Sequence, residues 1–263
     1  AEELTAENMM RAYEDADMEK MQEIRARCNS VVENQATAED LKAWYGQLCK
    51  RPCFHDEYLQ AYNQPGCHLI DTDGQGVERI TESGLVVAGK EYEVDCIIYA
   101  SGFEVGTPFE RRNGYETTGR DGVKLSDYWS NGMRTLHGIH VHGFPNLFIV
   151  QATQGGNLIS NYPHNLTESG NTIGMMVRHA LDMQFREIEV SLEAENAWLE
   201  LLKQAPPMMI GTTECTPGYY NNEGKGWEAG LTGGGYPYGP VAYFKYLNEW
   251  RDSGEFEGLE FRS

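Results

Sequence analysis

The chain has 263 residues, 40% of them hydrophobic, enough for one large or two modest packed domains, and a formal charge of -19 at pH 7. That charge repels nucleic acid and anionic lipid, whose phosphates demand clustered Lys and Arg, so neither is expected as a partner. No apolar run reaches the roughly 20 residues that span a bilayer, and the acidic start Ala1-Glu2-Glu3-Leu4 lacks the pattern of a signal or transit peptide, so no membrane is expected and the cytoplasm is the expected compartment. From about Thr5 to Arg27, Met9, Met10, Tyr13, Met18, Met21 and Ile24 recur at three- and four-residue steps among charges, the pattern of an amphipathic helix with a break expected near Asp15-Ala16-Asp17. A second helix is expected after Thr37, with Glu39 and Asp40 favoured by the dipole in its first turn, running through Leu41, Trp44, Tyr45 and Leu48. Lys50 and Arg51 precede Pro52, which disfavours helical geometry at the residue before it and ends the helix. The residues alone leave open whether this cation pair complements a helix C-terminus or meets a ligand.

His68–Asp71 reads as a strand, and Val77–Thr81, Leu85–Val87 and Tyr92–Val94 as strands joined by turns. Gly84-x4-Gly89-Lys90 approaches the spacing of a phosphate-binding loop, but Glu91 stands where Ser or Thr must reach magnesium and no helix follows, so a hairpin is expected. The run Cys96-Ile97-Ile98-Tyr99 after Asp95, closed by Ala100-Ser101-Gly102, reads as a short buried strand delivered into a tight turn. Such a turn is either an ordinary strand end or the place where an α/β sheet meets a ligand. Beyond a Gly- and charge-rich stretch, Pro145-Asn146 is a turn feeding a buried strand to Val150. Gln154–Tyr162 has no periodicity, and its Gly155-Gly156 suits close approach of backbone N–H groups to a ligand ahead of a helix from about Asn165 to Phe185.

A helical stretch from Glu189 to Gln204 ends at Pro206-Pro207. A loop rich in Gly, Tyr and Asn follows, then a helix at about Val241–Trp250 and a strand at Gly258–Phe261. Six cysteines, Cys28, Cys49, Cys53, Cys67, Cys96 and Cys215, are scattered through a chain too large to need stapling, so reduced thiols are expected. No metal is expected at Cys49-x3-Cys53, which lacks a second ligand pair, or at His137-x2-His140-x-His142, which reads as a strand with its later imidazoles on one face. Asn165-Leu166-Thr167 matches a glycosylation sequon and is read as chance.

Three of these blocks resemble the Baeyer–Villiger monooxygenases, a family of class B flavoprotein monooxygenases. Lys50-Arg51-Pro52, continued by Glu57-Tyr58, Tyr62-Asn63 and His68–Asp71, is similar to the family's Lys-Arg-(Pro) segment. Asp95–Glu104 resembles the Asp-x-(apolar)3-Ala-Thr-Gly-Phe/Tyr-(acid) crossing from the NADP domain to the FAD domain, with Ser101 keeping the hydroxyl of the usual Thr. Gly143-Phe144-Pro145-Asn146-Leu147-Phe148 resembles the block before the last flavin-binding loop. The resemblance implies that Lys50 binds the adenosine-ribose phosphate of NADPH and that Arg51 is catalytic, its permanent charge holding a peroxyflavin as the nucleophilic anion. It implies further cofactor contacts from Ser101, Gly102 and Phe103, and from Asn157, Ser160, Asn161 and Tyr162 beside the flavin. Asn157, Leu158 and Ile159 become the implied ketone-pocket residues. Tyr219, Tyr220 or Asn221 replaces the family's Trp in a mobile loop, about 205–239, that folds over NADP. Ala152-Thr153 departs from the family's more usual Gly-Pro at that place.

No Gly-x-Gly-x-x-Gly opens a βαβ unit, and the family's Phe-x-Gly-x3-His signature is absent, so the resemblance is to the C-terminal half of a member. The expected fold is α/β: the C-terminal portions of a flavoprotein with two Rossmann-like domains, for FAD and NADP, after a helical insertion. Residues 1–48 would end the insertion, 49–98 belong to the NADP domain and 99–263 to the FAD domain. The implied activity is insertion of one oxygen atom from O2 into a ketone, bulky or cyclic, to give an ester or lactone. The implied cofactors are FAD and NADPH, and the implied partner is an N-terminal half or subunit carrying both Gly-rich loops. A flavin enzyme oxidising nitrogen or sulfur, a non-catalytic remnant of the fold and an unrelated α/β binding domain are the alternatives.

Overall fold

The computed structural model describes residues 6–102, 108–151, 153–156, 160–205, 215–218, 220, 221, 224 and 235–263. Among them no helix is long and apolar enough to cross a membrane. Two compact units divide the chain, one of residues 1–104 and 214–220, the other of 105–213 and 221–263. The chain therefore leaves the first unit, builds most of the second, and returns once.

In the first unit, α1 (Ala6–Val31) runs for 26 residues without the expected break at Asp15-Ala16-Asp17. Asp15 is exposed, where a charge costs a helix little, and the Asp17 carboxylate accepts the Gln47 N–H at 2.8 Å. Asn34 caps α2 (Gln35–Asp40), its side-chain oxygen accepting from the N–H groups of Ala36 and Thr37, so this helix begins and ends earlier than the sequence suggests. Arg25 explains the early end: it donates to Ala43 O at 2.8 Å and lies 4.9 Å over the Trp44 ring, folding the chain back along α1. One 3-10 turn, Gln47–Cys49, then leads to Lys50. After the single turn of α3 (Tyr58–Ala61), Asn63 ties down the end of α1, donating to Val31 O and accepting from Glu33 N.

The strands β1 (Arg79–Ile80), β2 (Gly84–Val87) and β3 (Lys90–Glu93) form an antiparallel meander in that order. Ala88 and Gly89, at φ +49° and +73°, make the two-residue turn whose twist matches a hairpin. The near phosphate-loop spacing is thus a hairpin, as expected. Glu91 accepts the hydroxyls of Thr81 (2.6 Å) and Ser83 (2.9 Å), which hold its carboxyl below the usual range. Two expected strands are absent. His68–Asp71 and Asp95–Tyr99 are irregular, and Ile98 and Tyr99 are 85% and 76% exposed rather than buried. A strand needs a neighbour to take its backbone hydrogen bonds, and none of the described residues supplies one.

In the second unit, two short helices, α4 (Phe109–Asn113) and α5 (Leu125–Tyr128), precede a small core of Leu125, Val141, Phe144 and Ile149. The turn expected at Pro145-Asn146 is present, with Asn146 at φ +60°, but in place of the expected strands at 138–143 and up to Val150 there are a tight turn at Gly138 (φ +74°) and single bridges from His140 to Leu136 and Phe148. α6 (Tyr162–Asp182) starts earlier than expected because Asn161 caps it, accepting the His164 N–H at 3.1 Å. β4 (Glu187–Val190) was hidden in a stretch that reads as helical. It pairs antiparallel with β5 (Leu259–Arg262), Glu187 opposite Arg262 and Val190 opposite Leu259. Ser191 caps α7 (Leu192–Leu202). α8 (Gly239–Ser253) closes over it, and Met176, Val190, Trp198, Leu202, Leu247 and Trp250 form the main core. Each such side chain stabilises the unit by roughly 1.5–3 kcal/mol.

Candidate functional site

Sequence-predicted site residues fall in both units. In the first, Cys49 and Cys215, 166 residues apart, form a disulfide with Cα atoms 5.2 Å apart. This corrects the expectation of six reduced thiols; Cys28, Cys53, Cys67 and Cys96 are free. The bond anchors the returning segment directly beside the cation pair. Lys50 Nζ donates to the carbonyls of Thr216 (3.3 Å) and Pro217, and lies 5.9 Å over the Tyr45 ring. The approach is close: a Cβ on Gly218 would lie 2.6 Å from Nζ. Arg51 is exposed, and its Nη1 donates to Tyr220 Oη at 3.4 Å. The structure thus brings together Lys50, Arg51 and Tyr220. Ser101 and Gly102 are exposed, the latter at φ +95°, while Phe103 and Tyr219 lie outside the described residues.

In the second unit, the turn at 153–156 is locked from several sides. Gln154, fully buried, accepts from Thr135 Oγ1 at 2.5 Å and donates to Met133 O at 2.7 Å, and its own carbonyl accepts from Trp198 Nε1 at 3.0 Å. Gly155 and Gly156 carry no side chain because α8 and α6 leave no room. A Cβ on Gly155 would sit 2.9 Å from Tyr243 Oη, and one on Gly156 would sit 2.1 Å from Asn165 Oδ1. The glycine pair therefore answers to helix packing on its Cβ side. Ser160 donates to Gly156 O at 2.9 Å and accepts from Asn165 Nδ2 at 2.7 Å, which fixes the entry to α6. Asn161 and Tyr162 are exposed at that entry. Asn165 is 3% exposed, in keeping with its sequon being chance. Asn221 is buried and accepts the Gly224 N–H at 3.0 Å. Asn157, Leu158 and Ile159 lie outside the described residues.

Two buried carboxylates organise the same unit and were not legible in the sequence. Glu195 accepts from Tyr128 Oη (2.6 Å), Arg134 Nε (3.2 Å) and the His142 N–H (3.0 Å). Burial, then the bond to Glu195, pushes the Tyr128 hydroxyl up to about 12. Glu189 accepts from Arg120 Nε (3.0 Å), the Gly143 N–H (3.1 Å) and Arg262. Burial works against ionisation of Glu189, but the bonds from Arg262 and Arg120 prevail and its carboxyl lies below the usual range. Nothing local distinguishes Glu189 and Glu195 from exposed neighbours such as Glu193. An open cavity of about 500 Å³ lined by Arg120, Tyr128, His142, Glu189 and Arg262 lies over this cluster and includes none of the sequence-predicted site residues. No group of three or more His, Cys, Asp or Glu that could hold a metal occurs among the described residues.

No family model matches the chain. It is 45% identical over 254 residues to pentalenolactone D synthase of Streptomyces arenae, covering 95% of this chain and 43% of that protein. It is 42% identical over 255 residues to a Baeyer–Villiger monooxygenase of Streptomyces coelicolor, covering 96% and 42%. Among solved structures, the polycyclic ketone monooxygenase of Thermothelomyces thermophila superposes with a TM-score of 0.82 at 36% identity, covering 99% of this chain and 43% of that one. The chain spans about two fifths of the length of the curated relatives it matches. Its mixed α/β fold and its sequence agree across nearly all of its own length with one group of flavoproteins. Across nearly all of its own length the chain corresponds to a part of the Baeyer–Villiger monooxygenases.

Proposed function

We propose that this chain is the part of an FAD- and NADPH-dependent Baeyer–Villiger monooxygenase that carries the catalytic cation and one of the nicotinamide cofactor's phosphate ligands. In this reading residues 1–48 end a helical insertion, 49–98 complete the NADP domain and 99–263 complete the FAD domain. The carrying observation is the pair Lys50-Arg51, presented together with Tyr220 in a chain whose net charge is -19. Cations side by side in so acidic a chain suit an anionic ligand, and their chemistry fits the two cofactors. Lys50 offers three donors on a compact point charge, the form in which proteins bind a sugar phosphate. Arg51 keeps its proton at any working pH and supplies a fixed positive charge where negative charge develops on oxygen.

FAD, when bound, would supply activation of O2 with two electrons from NADPH, so that one oxygen atom would enter a ketone as an ester or lactone and the other would leave as water. Ser101, Gly102 and Phe103 at the crossing, and Asn157, Ser160, Asn161 and Tyr162 ahead of α6, hold and orient that cofactor. Asn157, Leu158 and Ile159, outside the described residues, are the residues assigned to the ketone in this reading. Tyr219, Tyr220 or Asn221 contributes on the NADP side. The bare residues Ile98 and Tyr99 take their neighbours from the remainder of the flavoprotein, which carries both Gly-rich loops.

Arg51→Ala in the full-length holoenzyme tests the reading. Ester formation should fall by about a hundredfold or more while NADPH still bleaches the bound flavin. Ester formed at the unmodified rate, or flavin no longer reduced, would remove Arg51 from the assigned role.

A further inference from the structure

We propose that the Cys49–Cys215 disulfide is a redox switch on the phosphate-binding lysine, so that NADPH affinity follows the thiol state of the protein. The inference rests on the assignment of Lys50 made above and adds to it a regulation. The disulfide joins the segment before the cation pair to the one stretch that returns from the second unit, residues 214–220. With the bond in place, Cys215–Gly218 is held against Lys50. The ammonium is occupied by the Thr216 and Pro217 carbonyls and fills the space beside Gly218. Arg51 is engaged at the same time by Tyr220. A phosphate must compete for the Lys50 ammonium with two carbonyls that are tethered, and therefore present at high effective concentration.

Cutting the tether removes that advantage, because the carbonyls then rest on a segment free to leave. Cys49 is half-buried and Cys215 buried, so Cys49 is the sulfur within reach of a reductant. A dithiol attacks as its thiolate at Cys49 Sγ; a mixed disulfide forms and Cys215 leaves as a thiolate that takes up a proton. The second thiol of the reductant then closes on the first, releasing Cys49 as a thiol. Two electrons pass to the protein and the reductant becomes a cyclic disulfide.

The test uses full-length holoenzyme and adenosine 2′,5′-bisphosphate as a probe of the phosphate site, titrated by calorimetry before and after treatment with a dithiol. Thiols are counted by alkylation and mass spectrometry. Reduction of the Cys49–Cys215 pair should tighten binding about tenfold, the scale of one charge-assisted hydrogen bond. Adenosine 5′-monophosphate, which lacks the 2′-phosphate, should be unaffected. The Cys49→Ser/Cys215→Ser double variant should bind tightly without treatment and ignore the dithiol. Unchanged affinity with the pair fully reduced overturns the switch, and so does an equal response in the double variant, which would assign the effect to Cys28, Cys53, Cys67 or Cys96. The functional reading fails separately. A holoenzyme that shows the shift but does not oxygenate ketones keeps the switch and loses the activity, and one that oxygenates ketones with no shift does the reverse.

Discussion

Acid should open the second unit well before its carboxylates protonate, because of His137 and His140. Both are buried, at 1% and 2% exposure, and burial pushes each imidazole from 6.5 to about 3, with the neighbouring His140 adding to the effect on His137. The surroundings explain why. His137 stands edge-on to Trp198, Tyr246 and Trp250 at ring separations of 4.8, 5.3 and 4.9 Å. Its Nε2 lies 3.0 Å from Tyr246 Oη, but its Nδ1, like His140 Nε2, has no hydrogen-bond partner among the described residues. A proton added at His137 Nδ1 or His140 Nε2 would meet no acceptor among the described residues.

Since both folded pKa values lie below the unfolded one, the unfolded chain takes up protons first. The stability is whole above about 6.5 and is lost progressively until pH reaches about 3. At 1.36 kcal/mol per unit, going from pH ~7 to pH ~5 removes about 2 kcal/mol per ring and about 4 for the pair. The assay is hydrogen exchange read by mass spectrometry on peptides from α7 and α8 in the full-length protein, corrected for the intrinsic pH dependence of exchange. Protection should fall about a thousandfold over that interval. His140→Phe, which keeps a ring edge-on to Phe148 at about the present 5.6 Å, should halve the slope. Equal protection at both pH values, or an unchanged slope in the variant, would refute the argument that these rings are held neutral by burial.

Glu195→Ala should destabilise the second unit by about 3–5 kcal/mol, seen as a lowered unfolding midpoint, because Arg134, Tyr128 Oη and the His142 N–H all lose their acceptor. Glu195→Gln should cost less, as it retains one oxygen. Two glycines should respond with opposite signs in chemical denaturation. Gly156→Ala meets Asn165 Oδ1 at 2.1 Å and Phe244 Cζ at 2.8 Å and should cost about 1–3 kcal/mol. Gly170→Ala, in α6 with nothing within 4 Å of the new methyl, should gain about 1 kcal/mol. A neutral Gly156→Ala would mean that the turn at 153–156 is not packed as described.

What could be read from the sequence was local in origin. The β2–β3 hairpin declared itself through Gly89-Lys90 and the misfit of Glu91 with a phosphate loop, and α8 and β5 through plain periodicity and turn residues. Caps decided the helix boundaries that were misjudged: Asn34 and Asn161 start α2 and α6 ahead of the apolar pattern that drew attention to them. β4 was hidden because Glu187-Ile188-Glu189-Val190 runs into a helix of similar composition, and only its pairing with β5 reveals that Glu189 is 4% exposed. For the site, Lys50 and Arg51 were legible through their resemblance to the family's Lys-Arg-(Pro) segment, since the residues alone left a helix C-terminus open as their role. Of their companions, Tyr220 was named through the resemblance, whereas Thr216 and Pro217 were not, since they come from more than 160 residues away and carry no spacing that relates them to Lys50.

The segment 95–99 shows where local reading reaches its limit. Its apolar run states a need, burial on both faces and hydrogen bonds on both edges, and it is this need that reads as a strand. Whether the need is met depends on other strands, and the described residues of this chain provide none, so Ile98 and Tyr99 stand in the open. The Cys49–Cys215 bond makes the complementary point. Neither cysteine has any pattern that asks for a partner, yet the return of residues 214–220 to the first unit brings their Cα atoms to 5.2 Å and sets the only covalent crosslink among the described residues beside Lys50. A sequence pattern thus records what a segment requires of its surroundings, whereas the chemistry that the surroundings bring to it is fixed by where the chain comes back.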